Sequence, residues 1–281
     1  MKLITKTKTY DLSKRSYIMG ILNVTPDSFS DGGEWDTVDK AVAHALEMVA
    51  DGADIIDIGG ESTRPGHTQI SDEEEIARVV PIIKAVKEAV EVPLSIDTYK
   101  SEVARAACEA GIDIINDIWG CKYDPEIAEV AAAFDVPIIL MHNREKPDYA
   151  FLIEDMLADL AESVRIALAA GVKRENIILD PGCGFGKTYQ DNLNVVHHLK
   201  RFADLGYPLL LGTSRKRFIG TALGDVPFKE RDQGTAATTA LGIMNGAQLF
   251  RVHNVKANAE IARMMDIMLK KGGESDWIKF I

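Results

Sequence analysis

From residue 17 onward, short continuous apolar runs alternate with longer amphipathic ones. Runs at 17–24, 54–59, 93–98, 113–118, 137–142, 177–181, 208–213 and 249–254 read as strands, and their unbroken apolarity suits strands covered on both faces. The intervening segments carry helical periodicity. In 73–90, Ile76, Val79, Val80, Ile83, Val86 and Val90 fall on one stripe. Ser71 and Glu74 stand at capping-box spacing before it, and Pro81 inside it is expected to kink the helix by removing the bond to the Ala77 carbonyl. Residues 2–12 alternate polar and apolar, as an edge strand or hairpin would.

One junction recurs. At Gly52, Gly111, Gly171 and Gly246 an amphipathic segment meets glycine and drops within a few residues into the next apolar run, the signature of a helix C-terminus closed by a left-handed residue. About eight such units without a linker predict an α/β fold, a (β/α)8 TIM barrel with a short N-terminal strand or hairpin. The expected organisation is a single domain over 1–281, with 1–16 as an N-terminal extension. A doubly wound open sheet is the alternative.

Composition narrows the partners. The 281 residues carry a net charge of −11, which argues against nucleic acid as a partner. An anionic substrate would need a locally positive pocket. Cys108, Cys121 and Cys183 are odd in number and show no paired spacing, so neither a zinc site nor a disulfide framework is expected. With no signal-peptide core and no apolar run near the roughly 20 residues of a membrane span, the expectation is a cytoplasmic protein without a membrane partner.

In such a barrel the chemistry sits where strands end. The strand ends are Asn23, Asp57, Asp97, Asn116 with Asp117, His142, Asp180, Ser214, and Arg251 with His253. Alternation puts Asp97, Asn116, Asp180, Arg251 and His253 on the interior face and turns Asp117 away, toward a structural role. Two carboxylates and an amide in one pocket suit a flat heterocycle presenting adjacent N–H donors, such as a guanidine-like edge. His253 could equally be a satisfied core histidine.

Three loops complete the rim. Residues 20–33 end a strand at Thr25-Pro26 and pass through Phe29, Asp31 and paired glycines, as a loop over a site would. Residues 59–66 carry Thr63, Arg64 and Pro65. Residues 213–220 follow the seventh strand with Arg215, Lys216 and Arg217 in succession, leading into a short helix, a favourable setting for an anion. Residues 182–188 only imitate a phosphate loop, because Pro181 stands where its first glycine belongs. Lys187 and Thr188 therefore read as loop residues. His197 and His198, adjacent on a helix, cannot face one metal together.

The segments 20–33, 58–66, 95–98, 116–118, 180–182, 213–220 and 251–253, in this order and at these strand ends, together resemble the dihydropteroate synthase family. The resemblance implies a transferase of folate biosynthesis that joins p-aminobenzoate to 6-hydroxymethyl-7,8-dihydropterin diphosphate and releases pyrophosphate. It also implies Mg²⁺, a homodimer and sensitivity to sulfonamides. Matched position by position, Asp97, Asn116, Asp180 and Lys216 would hold the pterin, with Met141, Phe185 and Arg251 around the ring. Asn23 would bind the metal and, with Thr63, Arg64, Arg251 and His253, the diphosphate. Phe29, Thr63, Arg64, Pro65 and Lys216 would line the aminobenzoate slot. Arg217 joins them where some members carry serine, and Asp31 would lie near the reacting carbon. Asp97, Lys216 and Asp31 are the expected catalytic residues. A pterin-dependent methyltransferase on the same barrel and a pterin-binding module without turnover are the rival readings.

Overall fold

The computed structural model describes residues 1–24, 34–61 and 69–272. Phe29, Asp31, Thr63, Arg64 and Pro65 lie outside the described residues. Eight parallel strands form the barrel: β3 (Tyr17–Asn23), β4 (Ile55–Gly59), β5 (Leu94–Asp97), β6 (Ile114–Asp117), β7 (Ile138–Met141), β8 (Ile177–Asp180), β9 (Leu210–Leu211) and β10 (Leu249–Val252). Their order is β8-β7-β6-β5-β4-β3-β10-β9. A parallel bridge between Leu179 and Leu209 joins the two ends, with the Leu179 amide donating to the Pro208 carbonyl at 2.9 Å. The predicted strands match within a few residues except β9, which is shorter. Pro208 has no N–H to give to a ladder there.

The helices that enclose the barrel include α1 (Glu34–Ala50), α2 (Asp72–Ala89), α3 (Ser101–Ala110), α4 (Glu126–Phe134), α5 (Leu152–Ala169), α6 (Tyr189–His197), α7 (Leu199–Ala203), α8 (Arg217–Ala222), α9 (Asp232–Met244) and α10 (Val255–Met268). Ser71 caps α2 by accepting from the Glu74 amide at 3.2 Å, and Pro81 is carried inside that helix. Gly52, Gly111, Gly171 and Gly246 all take positive φ, between 93° and 107°, as the recurrent junction requires. α9, rich in small residues, lies against its own barrel: Gly242 faces Leu211 and Phe250, and Gly234 faces Ile219 of α8.

Strand alternation splits the core in two. Outward residues such as Ile56, Ile96, Ile115, Leu140 and Leu179 pack under the helices. Inward residues Met19, Ile55, Ile114, Ile139, Ile178, Leu210 and Leu249 fill the barrel, and Leu3, Tyr10 and Leu12 join the same cluster from the N-terminal segment. That segment is the antiparallel hairpin β1 (Lys2–Ile4) and β2 (Thr9–Asp11). The Tyr10 hydroxyl donates to the Asp54 carbonyl at 2.6 Å, and the Thr7 hydroxyl to Asp113 at 2.8 Å, both just before barrel strands begin. The hairpin thus covers the N-terminal end of the barrel beneath its packed interior.

Candidate active site

Above the apolar layer the interior turns polar within one or two residues. Gly59, Asp97 and Asn116 lie side by side in register on β4, β5 and β6, and Met141 is paired with Asp180 across β7 and β8. Arg251 on β10 enters from the opposite wall beside Met19. Its Nε donates to Asp57 Oδ2 at 2.5 Å and its Nη2 to Asp97 Oδ2 at 2.6 Å. The Asn116 amide also donates to Asp57 Oδ2, at 3.2 Å, leaving its carbonyl oxygen as a further acceptor. Asp57, which the sequence placed at a strand end without a role, is the common anchor of two groups expected to touch the ligand.

The acids are unevenly satisfied. Asp57 Oδ1, Asp97 Oδ1 and Ser95 Oγ are buried without a hydrogen-bond partner among the described residues. Buried polar atoms are normally paired, so these three leave the floor of the site short of partners. Asp180 Oδ1 accepts from the Gly182 amide at 2.7 Å, and Oδ2 lies over Gly212, where no side chain intrudes. Burial pushes the Asp97 carboxyl up to about 7. Arg251 opposes that rise and Asp57 adds to it. Burial raises Asp180 too, against the pull of Lys216.

Lys216 comes from the turn after β9. Its ammonium donates to the Cys183 carbonyl and lies 4.5 Å from the centre of the Phe185 ring. Burial lowers its pKa, with Asp180 pulling the other way. Met141 and Phe185 form an apolar wall with Tyr99, Ile118 and Trp119. Asp97, Asn116, Asp180, Lys216, Met141, Phe185 and Arg251 thus gather at the C-terminal mouth of the barrel.

The predicted basic turn behaves differently from a common anion site, because its three cations diverge. Arg215 pairs with Asp232 on α9 at 2.6 and 2.8 Å, Lys216 turns inward, and Arg217 is exposed at the start of α8. His253 sits at the rim, its Nδ1 2.9 Å from Ser214 Oγ and its ring edge-on to Phe228. The Asn23 amide oxygen and Asp97 Oδ2 both lie within 3.7 Å of where a side chain at Gly59 would begin. Asp117 is structural, as expected: it accepts from the Trp119 and Cys121 amides at 2.8 and 2.6 Å. His142 faces outward instead of into the cavity, toward Asp159 on α5 at 3.0 Å.

Sequence reasoning missed a buried ion cluster behind the site. Lys100 Nζ donates to Glu61 at 2.6 Å, to Glu75 at 2.8 Å and to the Ile70 carbonyl at 2.8 Å, while the Tyr99 hydroxyl donates to Glu61 at 2.6 Å. Glu61 and Ile70 bracket the loop that carries Thr63, Arg64 and Pro65.

The comparisons with known proteins agree with this geometry. The family model described as "Pterin binding enzyme" matches residues 19–253. Dihydropteroate synthase of Bacillus subtilis is 58% identical over 96% of this chain and 94% of its own. The structure resembles Clostridium difficile dihydropteroate synthase solved in the presence of pteroic acid, with a TM-score of 0.90 and 49% identity over 92% of this chain and 98% of that one. It also resembles the Xanthomonas albilineans enzyme with 4-aminobenzoic acid, with a TM-score of 0.91 and 41% identity over 95% and 98%. A parallel barrel with acids deep in its mouth, matched over most of its length by this model, makes the chain a pterin-binding enzyme. Within that class it belongs to the dihydropteroate synthase family, whose members are transferases.

Proposed function

We propose that the chain condenses 6-hydroxymethyl-7,8-dihydropterin diphosphate with p-aminobenzoate, giving 7,8-dihydropteroate and pyrophosphate. The observation that carries this reading is the set of buried, unpartnered carboxylate oxygens on Asp57 and Asp97, in one cavity with Asp180 and Asn116. The pterin's guanidine-like edge supplies the N–H donors those acceptors lack, and the Phe185 and Met141 wall takes the ring face. Relatives solved with pteroic acid and with 4-aminobenzoic acid support both halves of the substrate pair.

The chemistry this pocket favours is dissociative. The carbon–oxygen bond to the diphosphate breaks heterolytically, the electron pair leaves with pyrophosphate, and the dihydropterin spreads the resulting positive charge into its ring. Asp97 and Asp180 stabilise that charge and hold the ring in place. Lys216, Arg251 and His253 receive the growing negative charge on the leaving group. The aniline nitrogen then bonds to the methylene carbon and loses a proton. In this scheme Phe29, Thr63, Arg64 and Pro65 complete the aminobenzoate slot with Lys216 and Arg217, and Asp31 acts near the reacting carbon.

Among the described residues no group of three His, Cys, Asp or Glu side chains could hold a metal ion. Asn23 offers a single amide oxygen next to Asp97. A lone hard oxygen donor fits Mg²⁺, which keeps most of its shell as water and substrate phosphate oxygens. Held by Asn23, Mg²⁺ would neutralise charge on the diphosphate.

Leu241 and Met244 on α9, with Met264, Ile267 and Met268 on α10, are exposed on helices that pack together, a surface suited to a second copy in a homodimer. No described helix is long and apolar enough to cross a membrane. Cys108, Cys121 and Cys183 are buried free thiols, compatible with a cytoplasmic setting.

The test is pyrophosphate release on mixing the purified chain with both substrates and Mg²⁺. Release that requires p-aminobenzoate supports the transferase. Pterin binding without release would make the chain a binding module, and methyl transfer from a methylated folate would favour the methyltransferase.

A further inference from the structure

The loop that walls the pocket is tied down from behind by a lysine that the reaction does not use. Lys187 Nζ stands 2.9 Å from each of three acceptors: the Gly182 carbonyl, the Phe185 carbonyl and His142 Nδ1. An ammonium has three protons, and here each has one acceptor. Because Nδ1 accepts, the His142 proton resides on Nε2, where it donates to Asp159 Oδ2 at 3.0 Å. Asp159 is held in turn by Arg144 Nε at 2.7 Å. Burial lowers His142 to about 4, so the ring stays neutral and keeps this tautomer.

The other side of the same loop faces the cavity. The Gly182 amide donates to Asp180, the Cys183 carbonyl accepts from Lys216, and the Phe185 ring lies under the Lys216 ammonium. Gly182 and Phe185, whose carbonyls Lys187 gathers, are thus one bond away from the groups that would grip the pterin. We infer that Lys187, oriented by the neutral His142 and Asp159, is a positioning residue that sets Phe185 and the Cys183 carbonyl, and through them Lys216, in the geometry that binds the pterin headgroup. This rests on the proposed pterin-binding reading of the cavity.

A neutral lysine donates only two protons, leaving one acceptor of the cage unpaired. Burial lowers Lys187 to about 7, with Cys183, Asp180 and Asp191 pulling its pKa up and Lys216 pushing it down. The tether is therefore complete below about 7 and weakens above it.

The experiment compares the full-length wild type with Lys187→Met and Asp159→Ala by calorimetric titration with 6-hydroxymethyl-7,8-dihydropterin diphosphate, and by steady-state kinetics. Lys187→Met is expected to weaken pterin binding about tenfold, the size of one hydrogen bond to a charged group. Asp159→Ala, which keeps the lysine but releases the histidine, should weaken pterin binding by about threefold. The affinity ratio of wild type to Lys187→Met should also shrink between pH 6 and 9. A purely space-filling role predicts a ratio independent of pH and would overturn the inference, as would wild-type pterin affinity in a folded Lys187→Met. If the wild type itself fails to bind the pterin, the reading of the cavity falls instead.

Discussion

Arg251 and Asp97 meet across 154 residues of sequence, Nη2 to Oδ2 at 2.6 Å, and Asp57 holds the same guanidinium by its Nε at 2.5 Å. One cation thus separates two acids that would otherwise repel across the pocket floor. Each acid keeps one oxygen that is not paired among the described residues. The pocket is stable enough to form and still short of donors.

That arrangement makes activity depend on pH near neutrality. The Asp97 carboxyl is raised from 3.8 to about 7, chiefly by burial. The folded chain therefore holds a proton through a window in which the unfolded chain has released it, so this group's contribution to stability is lost as pH rises from about 4 to about 7. Through the same window the carboxylate forms, and kcat/KM for the pterin diphosphate should rise. Asp97→Asn should remove this acid limb and lower kcat about 10²- to 10³-fold, a loss typical of a missing electrostatic group, with pterin binding retained. Rate profiles and thermal unfolding across pH 4–9 read both effects, and unchanged turnover in Asp97→Asn would remove Asp97 from the mechanism.

Asp57→Ala should act mainly through Arg251. It leaves a partly buried guanidinium with one partner fewer and frees the Asn116 amide, a change expected to cost about 3 kcal/mol of stability. Urea unfolding measures the loss, and Asp57→Asn, which still accepts, should lose less.

Lys100→Met strands Glu61 and Glu75, both buried, without their shared cation. A loss of about 3–5 kcal/mol is expected at neutral pH. It should shrink in acid, where protonation removes the unpaired charges. Thermal melts at two pH values distinguish this from a simple packing defect, which would cost the same at both.

Gly182→Ala tests the tightness of the loop behind the pocket. Gly182 has φ of +65°, and a Cβ there would overlap the His142 carbonyl oxygen. The backbone must move to admit it, so the variant should lose at least about 2 kcal/mol of stability and bind pterin more weakly. Differential scanning calorimetry with and without the pterin diphosphate reads both.

The barrel was legible because each strand is a short unbroken apolar run and each helix exit carries a glycine, signals that depend only on neighbours in sequence. The polar ring was legible for the same reason: alternation alone turned Asp97, Asn116, Asp180 and Arg251 inward and Asp117 outward. Partners distant in sequence were not. Glu75 lies in a run of four acidic residues at the start of α2 and reads as solvated, yet it is buried against Lys100 from another element. Lys187 looked like loop decoration because its three acceptors are two carbonyls and a histidine 45 residues away. The turn at 215–217 looked uniformly basic, whereas Asp232 takes one cation and solvent another. The Thr188 and Asp191 spacing could have announced the start of α6, where the two form a full capping box.

The inward layer of Met19, Ile55, Ile114, Ile139, Ile178, Leu210 and Leu249, backed by Leu3, Tyr10 and Leu12, makes the barrel a blind alley. Whatever occupies the floor must arrive before anything seated nearer the entrance and depart after it. A bicyclic guest lying against Asp97 and Asp180 would therefore enter first, and the finished conjugate would have to withdraw benzoate end foremost. The packed layer inside the barrel and the small hairpin beneath it, remote from every reacting atom in this scheme, would thereby bear on the order in which guests come and go.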